Sequence, residues 1–475
     1  MKKLSVNSIF NVIYNLANVI FPLIIMSYAS RILRDDGVGI VAYGQNIASY
    51  FVVFATLGLP MYGVREIAKS TKNAKSLNRL FTELFSINFI SSLVASILYI
   101  ILIFFTSLKN DFLLYLCCGV QIFMNFFNID WLYQGLEEYV YISCRSIVIK
   151  IISLICIFLF VKDRQDYIIF AFISSFAICA NYLFNVFHAR KFVKFEFGNI
   201  NLKKHIYPIL ILGLTILLSS IYSKADITMM GGLSNNSSIG LYNNAHKIVD
   251  AVIVVCTSIS ATFLPQLSIA FIHDKTQFYN LIETGISWQS FFSFPLMVGC
   301  FVLSPIFVPI IFGSCFIESS LTVQIFTPLI VIKSFCNLLC YQLVIATGNE
   351  KKRIPAYLCA AFANVVLNAI LIPSFHQNGA AFASVISELI VNGILLIVLY
   401  RQLRFKIPLR NVAMGFASSI VMGGMMLIFI KYTNITGLLE LILAFVIGSL
   451  TYIGLNIVFK NEIAINFLKK VGNLF

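Results

Sequence analysis

The 475-residue chain reads as fourteen apolar runs joined by short loops, with Lys and Arg gathered on every second loop. That alternation constrains the fold more than any other feature. A hydrocarbon core takes about 20 apolar residues per helical crossing. Lipid offers no partner to backbone N–H and C=O groups, so each run has to be a helix. The runs start near Ser8, Gly37, Phe81, Asp111, Tyr139, Asp166 and Tyr207, then near Ser238, Ile282, Phe316, Ile354, Gly379, Asn411 and Thr436. With 59% hydrophobic and 11% charged residues, no stretch is left over for a soluble domain.

Loop charge orients the helices. One set of loops holds 24 of the 34 Lys and Arg, among them Arg65, Lys69, Lys72, Lys75 and Arg79, then Arg190, Lys191, Lys194, Lys203 and Lys204, then Lys351, Lys352 and Arg353. The opposite set holds 6. Basic loops stay in the cytoplasm, so both termini are expected there, after an even number of crossings. The net charge of +14 then faces anionic lipid. Nucleic-acid binding, which wants a basic face on a soluble domain, is not expected. Lys2-Lys3 and the apolar stretch to Ile32 read as a first membrane helix, too long for a signal peptide and without a small-x-small cleavage site. The basic residues between Val64 and Leu80 recur at three- and four-residue spacing, which fits an amphipathic helix on the membrane surface or a solvated loop. Eleven scattered cysteines without a CxxC pair predict neither a disulfide framework nor a metal site.

Two landmarks recur in the same order. Val38-Gly39-Ile40, with Gln45-Asn46-Ile47 after it, corresponds to Ile239-Gly240-Leu241 with His246-Lys247-Ile248, and Pro60 corresponds to Pro265. Gln134-Gly135-Leu136-Glu137-Glu138 corresponds to Thr347-Gly348-Asn349-Glu350-Lys351. The expected organisation is an all-α integral membrane protein of 14 transmembrane helices. It has a six-helix lobe over 1–190, a cytoplasmic linker over 191–206, a parallel six-helix repeat over 207–405, and two further helices with a tail over 406–475.

Charges at membrane depth are costly and mark cavities or partners. Lys247 sits about nine residues into a helix entered from outside, near mid-depth. Asp250 follows three residues later on the same face, so pairing with Lys247 is the bland reading beside a functional one. Lys224 and Asp226 occupy the preceding helix's outer half, and Lys150 and Glu388 lie mid-helix. Arg31 closes the first helix, and for Arg31, Lys333 and Asp130 snorkelling to an interface is the bland reading. The functional reading is a set of cations, Lys224, Lys247, Lys150 and Arg31, for an anionic substrate, with Asp250, Asp226 and Glu388 as ion-coupling candidates. Pro22 and Pro295 are hinge candidates, or static kinks. No catalytic constellation and no nucleotide-cradling loop is present, and the outer loops are too short for an outer-face polymerase or ligase.

The opening of the chain resembles a known family. Tyr14-Asn15, Phe21-Pro22-Leu23-Ile24, Tyr28-Ala29-Ser30-Arg31-Ile32-Leu33, Gly37-Val38-Gly39, Tyr50-Phe51, Leu57-Gly58-Leu59 and Tyr62-Gly63-Val64-Arg65-Glu66-Ile67-Ala68 are similar to the start of the O-antigen and capsule-unit flippases. These belong to the multidrug/oligosaccharidyl-lipid/polysaccharide exporter superfamily. Arg34-Asp35-Asp36 departs from it where many members carry a glycine. The resemblance implies two lobes around a cationic cavity in the bacterial cytoplasmic (inner) membrane. It implies an undecaprenyl-pyrophosphate-linked oligosaccharide moved from inner to outer leaflet. It also implies H⁺ or Na⁺ as coupling ion and no other cofactor, with membrane lipid and other polysaccharide-assembly membrane proteins as partners. The rival class is a drug or cation antiporter of the same superfamily. Four embedded cations against three embedded acids count against that rival.

Overall fold

The computed structural model describes the backbone of residues 2–70, 73–198, 200–346, 353–433, 435–461 and 463–465, and the side chains of these except 2–16, 215, 218, 345–346 and 353–354. Among the described residues there are helices and turns and no strand. Contacts divide the chain into two compact units, Met1–Gly240 and Leu241–Phe475. The first contains α1 (Lys2–Thr56), α2 (Leu59–Ser70), α3 (Ala74–Phe105), α4 (Phe112–Phe123), α5 (Asp130–Gly135), α6 (Tyr139–Phe160), α7 (Tyr167–Ala189) and α8 (Lys203–Leu233). From α9 (Asn236–Ala261), whose first turn belongs to the first unit, the chain continues through α10 (Leu264–His273), α11 (Lys275–Phe312), α12 (Ser319–Phe326) and α13 (Pro328–Cys336). It ends with α14 (Leu343–Ala346), α15 (Arg353–Leu403), α16 (Leu409–Tyr432) and α17 (Leu438–Val458). α8 packs on α1 and α2 and so joins the first unit by contact, whereas the sequence repeat groups it with the second lobe.

Eleven described helical stretches are long and apolar enough to cross a membrane, and twelve when the bent pair Lys203–Leu214 and Ser219–Leu233 counts as one. The chain is a multi-pass membrane protein. Two helices are too long for one crossing. α1 has 55 residues and would run about 80 Å if straight, against about 30 Å of hydrocarbon. It breaks at Arg34 (φ 59°, ψ −172°). α15, with 51 residues, breaks at His376 (φ 48°, ψ −126°). Both breaks fall where the apolar pattern predicts an outer turn. Each puts a non-glycine residue in the left-handed region, at a cost of roughly 1 kcal/mol. The hinge candidates do not break their helices: α1 passes Pro22, and α11 runs unbroken through Pro295, Pro305 and Pro309.

The helices turn large apolar side chains outward as well as inward. α3 exposes Phe89, Ile90, Leu93, Val94, Ile97, Leu98, Ile101 and Phe104, and buries Thr82, Asn88, Ser91 and Ser92. Lipid rewards no apolar burial, so small and polar side chains hold the helices together. The unwound stretch between α4 and α5 follows the same logic. Its carbonyls at Asn125, Phe126 and Asn128 accept from Asn88 Nδ2 at 3.0, 3.3 and 3.1 Å. In the second unit, Tyr452 Oη donates to the Phe291 carbonyl (2.8 Å) and Asn411 Nδ2 to Ser287 Oγ (2.9 Å), docking α17 and α16 on α11.

The repeated sequence landmarks take matching local structure in places. α2 opens with Leu59-Pro60 and α10 with Leu264-Pro265, so these prolines begin short helices and do not end long ones. The expected amphipathic stretch 64–80 is divided. α2 ends at Ser70, and Asn73 caps α3 by accepting from Lys75 N (3.0 Å) and Ser76 N (3.3 Å). Asp274 caps α11 alike, accepting from Thr276 N (2.9 Å) and Gln277 N (3.0 Å). Gly39 and Gly240 face each other: a methyl group on Gly39 would lie 1.7 Å from the Asn236 carbonyl oxygen, and one on Gly240 2.1 Å from that of Asp35. The second landmark, Thr347 to Lys351, lies outside the described residues.

Candidate functional site

In the first unit, Lys224 lies on α8 opposite the second half of α1. Its ammonium is 5.9 Å from the centre of the Tyr50 ring, at the edge of cation–π range. The surrounding groups are fixed. Asn46 Nδ2 donates to Thr228 Oγ1 (2.8 Å) and to the Lys224 carbonyl (3.3 Å), and Tyr50 Oη lies 3.0 Å from Thr228 Oγ1. Gly231 lets α8 pass close to α1, since a methyl group there would fall 2.0 Å from the Tyr43 ring. Asp226 is buried on another side of the helix. Lys150 on α6 donates to the Asn18 side chain of α1. Arg31 is exposed one turn before the break at Arg34. These residues share α1 as their scaffold.

Two buried charge clusters in this unit have little trace in the sequence pattern. Arg145, one of the 24 cations assigned to the basic loops by the sequence, is 7% exposed; its Nη2 donates to Asp130 Oδ1 (3.1 Å) and its Nε to Asn181 Oδ1 (3.1 Å). Asp130 thus has a buried partner and is not a snorkelling residue. The Arg145 guanidinium also covers the Tyr141 ring, which stacks on His188 at 3.9 Å. The second cluster ties the linker down. Glu83, 5% exposed, accepts from Arg79 Nε (3.1 Å), Asn201 N (2.8 Å) and His205 Nε2 (2.8 Å). His205 Nδ1 lies 2.7 Å from Tyr62 Oη. With Nε2 donating, Nδ1 is free to accept from the tyrosine, and a neutral imidazole satisfies every bond.

In the second unit Lys247 and Asp250 do not pair with each other. Asp250 Oδ2 lies 2.9 Å from His246 Nδ1, one helical turn earlier on α9, and Lys247 has no hydrogen-bond or ion-pair partner among the described residues. Lys333 on α13 does not snorkel; its ammonium is 3.7 Å from Glu388 Oε1 on α15. Asn392 Nδ2 donates to Glu388 Oε2 (3.3 Å). Directly after α13 the chain widens into a π-helical turn, Asn337–Gln342, a feature that often marks functional positions. His246 enters the sequence reading only as a repeat word. Its i, i+4 spacing to Asp250 was the available signal.

Helix breaks at two turns, polar seams, and embedded charges held on an all-helical scaffold define a polytopic membrane protein. Residues 4–271 match the polysaccharide biosynthesis protein family, more than half the chain, and the protein belongs to that family. It is 26% identical over 409 residues to a protein of Escherichia coli (strain K12) described as an O-antigen transporter, covering 82% of this chain and 95% of that one. It is 22% identical over 240 residues to a Haloferax volcanii protein described as a low-salt glycan biosynthesis flippase, covering 50% and 51%. The fold is that of the lipid II flippase MurJ in an inward closed conformation, with a TM-score of 0.77 at 16% identity over 96% of this chain and 99% of that one. An inward-facing multidrug transporter described as of the MOP superfamily follows at 0.61 and 15%, over 82% and 94%.

Proposed function

We propose that this protein moves a polyprenyl-pyrophosphate-linked oligosaccharide repeat unit from the inner to the outer leaflet of a bacterial cytoplasmic membrane by alternating access. In this reading it crosses the membrane fourteen times, the breaks at Arg34 and His376 are outer turns, and both termini are cytoplasmic. The observation that carries it is Lys247. An unpaired ammonium near the middle of a crossing costs about 3 kcal/mol, a cost that an anionic ligand offsets. Lys224, whose ammonium has the Tyr50 ring beside it and no hydrogen-bond or ion-pair partner among the described residues, is the matching cation of the first unit. Lys150 and Lys333 have protein partners and are weaker candidates. Family membership and relatives described as transporters and flippases support the substrate class. The antiporter reading wants acids free to take a cation, whereas Asp250 and Glu388 are occupied by His246 and Lys333.

The test is replacement of Lys247 by Ala, Gln and Arg in a strain whose surface polysaccharide depends on this gene. Surface polymer should disappear with Ala and Gln at unchanged protein level and return with Arg, because charge is what the pyrophosphate requires. Equal polymer from the Gln and Arg strains would refute the assignment.

A further inference from the structure

We propose that the segment joining α7 to α8, between Ala189 and His205, is an interfacial strap that binds anionic phospholipid headgroups, with Phe195 and Phe197 seated at the boundary of the acyl chains. The strap joins two helices of crossing length, α8 counted through its bend. It therefore lies at a membrane face whatever the protein transports.

α3 sets the depth of the strap. Its 32 residues span about 48 Å, against about 30 Å of hydrocarbon. The far end, Phe104 and Phe105, is apolar and exposed, whereas the first turns carry Lys75, Asn78 and Arg79. The excess of roughly twelve residues therefore falls at the start, from Ala74 to Phe85. The strap is tied to that excess. Lys194 N donates to Asn78 Oδ1 (2.9 Å), Glu196 N to Thr82 Oγ1 (2.9 Å) and Asn201 N to Glu83 Oε1 (2.8 Å). It runs in the headgroup layer.

An aromatic row leads from the lipid face of α3 onto the strap. N–H groups of alternate residues, 194 and 196, turn to α3, the pattern of extended chain, so Val193, Phe195 and Phe197 share one face. Phe195 packs on Phe81 (5.3 Å) and Phe85 (5.2 Å), and Phe197 stacks on Phe195 (5.9 Å, 9°). Exposure rises along that face from 5% through 49% to 71%. One turn beyond Phe85, Phe89 is already exposed to lipid. Rings at this depth settle at the interface.

Charge names the occupant. Arg190, Lys191, Lys194, Lys203 and Lys204 stand against one strap acid, Glu196, and none of the five makes an ion pair among the described residues. The neighbouring cations are already matched, Arg65 and Lys69 by Glu66 and Arg79 by Glu83. Lys203 and Lys204 open α8, at the positive end of the helix dipole, where an anion offsets what a cation costs. A phosphate-bearing lipid meets both features: its headgroup takes the cations and its glycerol region the rings. An acidic protein would meet the cations alone.

The test reads which lipid lies against the strap. Phe197→Trp places a reporter there, and the signal of Trp131 and Trp288 is subtracted with the wild-type protein. The bilayers hold equal parts phosphatidylcholine and phosphatidylglycerol, with bromine on the acyl chains of one or the other. Quenching should report phosphatidylglycerol about fivefold above its bulk ratio, the effect of one basic residue on one anionic headgroup. Replacing Lys191, Lys194, Lys203 and Lys204 by Gln in the reporter chain should bring the ratio to parity. Should that chain fail to fold, about 1 M NaCl on the reporter protein should do the same by screening. Absence of quenching, equal quenching by both lipids, or a preference that survives both treatments overturns the proposal. Undecaprenyl pyrophosphate at one molecule per protein should leave the preference unchanged. Its loss would give the strap to that lipid and overturn the assignment to phospholipid.

Discussion

His246 Nδ1 and Asp250 Oδ2 lie 2.9 Å apart across one turn of α9, and Lys247, the neighbour of His246, has no hydrogen-bond or ion-pair partner among the described residues. Lys247 and Asp250 are three residues apart, His246 and Asp250 four, and both spacings bring side chains together on a helix. The aromatic rings of Tyr242 and Phe326, 5.9 and 5.5 Å from that of His246, select the second.

If the second pairing is the working one, changing its partner should leave the substrate cation intact. Asp250→Asn should keep binding of lipid-linked oligosaccharide within about twofold of wild type while Lys247→Gln loses it. Binding of the extracted lipid to purified protein, followed by intrinsic fluorescence, checks this. Equal losses in both variants would mean that Lys247 and Asp250 act as a pair after all.

The Arg145–Asp130 pair should behave as a buried ion pair. Arg145→Met alone leaves Asp130 facing Asn185 without its cation, a loss of about 3 kcal/mol. Adding Asp130→Asn should recover most of it, since removing both charges removes the orphan. Thermal unfolding of the purified single and double variants measures the coupling; additive losses would contradict it.

Glu83 holds the linker through Asn201 N and His205. Neighbouring α3 residues hold it too: Thr82 Oγ1 accepts from Glu196 N (2.9 Å) and Asn78 Oδ1 from Lys194 N (2.9 Å). Glu83→Ala should free the 190–202 segment, and trypsin should then cut after Arg190 and Lys194 at least about tenfold faster, as expected when local opening becomes easier by more than 1.4 kcal/mol. An unchanged cleavage rate would show that the other two bonds suffice.

At the Gly39–Gly240 crossing there is no room for a side chain. Gly240→Val should force α9 away from α1 and abolish surface polymer, with a smaller effect of Gly240→Ala. Polymer at wild-type level in the Val strain would mean that this close approach is dispensable.

Topology has its own check. A periplasm-dependent reporter should stay silent after Phe475 and be active after Asn235, within the turn between α8 and α9. Activity at the C-terminus would remove the fourteen-crossing arrangement.

Apolar helices and turns were legible in the sequence because each is a local property. Twenty apolar residues make a crossing wherever they stand, and an Asn or Asp before a helix caps it. Both over-long helices break within a few residues of the predicted outer turns, and Asn73 and Asp274 mark the same step in the two halves. Embedded charges were equally visible as types, since Lys, Asp and Glu are rare in lipid. Their partners were not visible. Arg145 looked like a loop cation until α5 and α7 brought Asp130 and Asn181 against it. Lys333 looked like a snorkelling residue until α15 placed Glu388 beside it. Helical spacing names neighbours within one helix, whereas ion pairs between helices depend on the rotation of each helix about its axis. That rotation is set by polar seams and glycine contacts spread over the whole unit, and only the tertiary structure decided it.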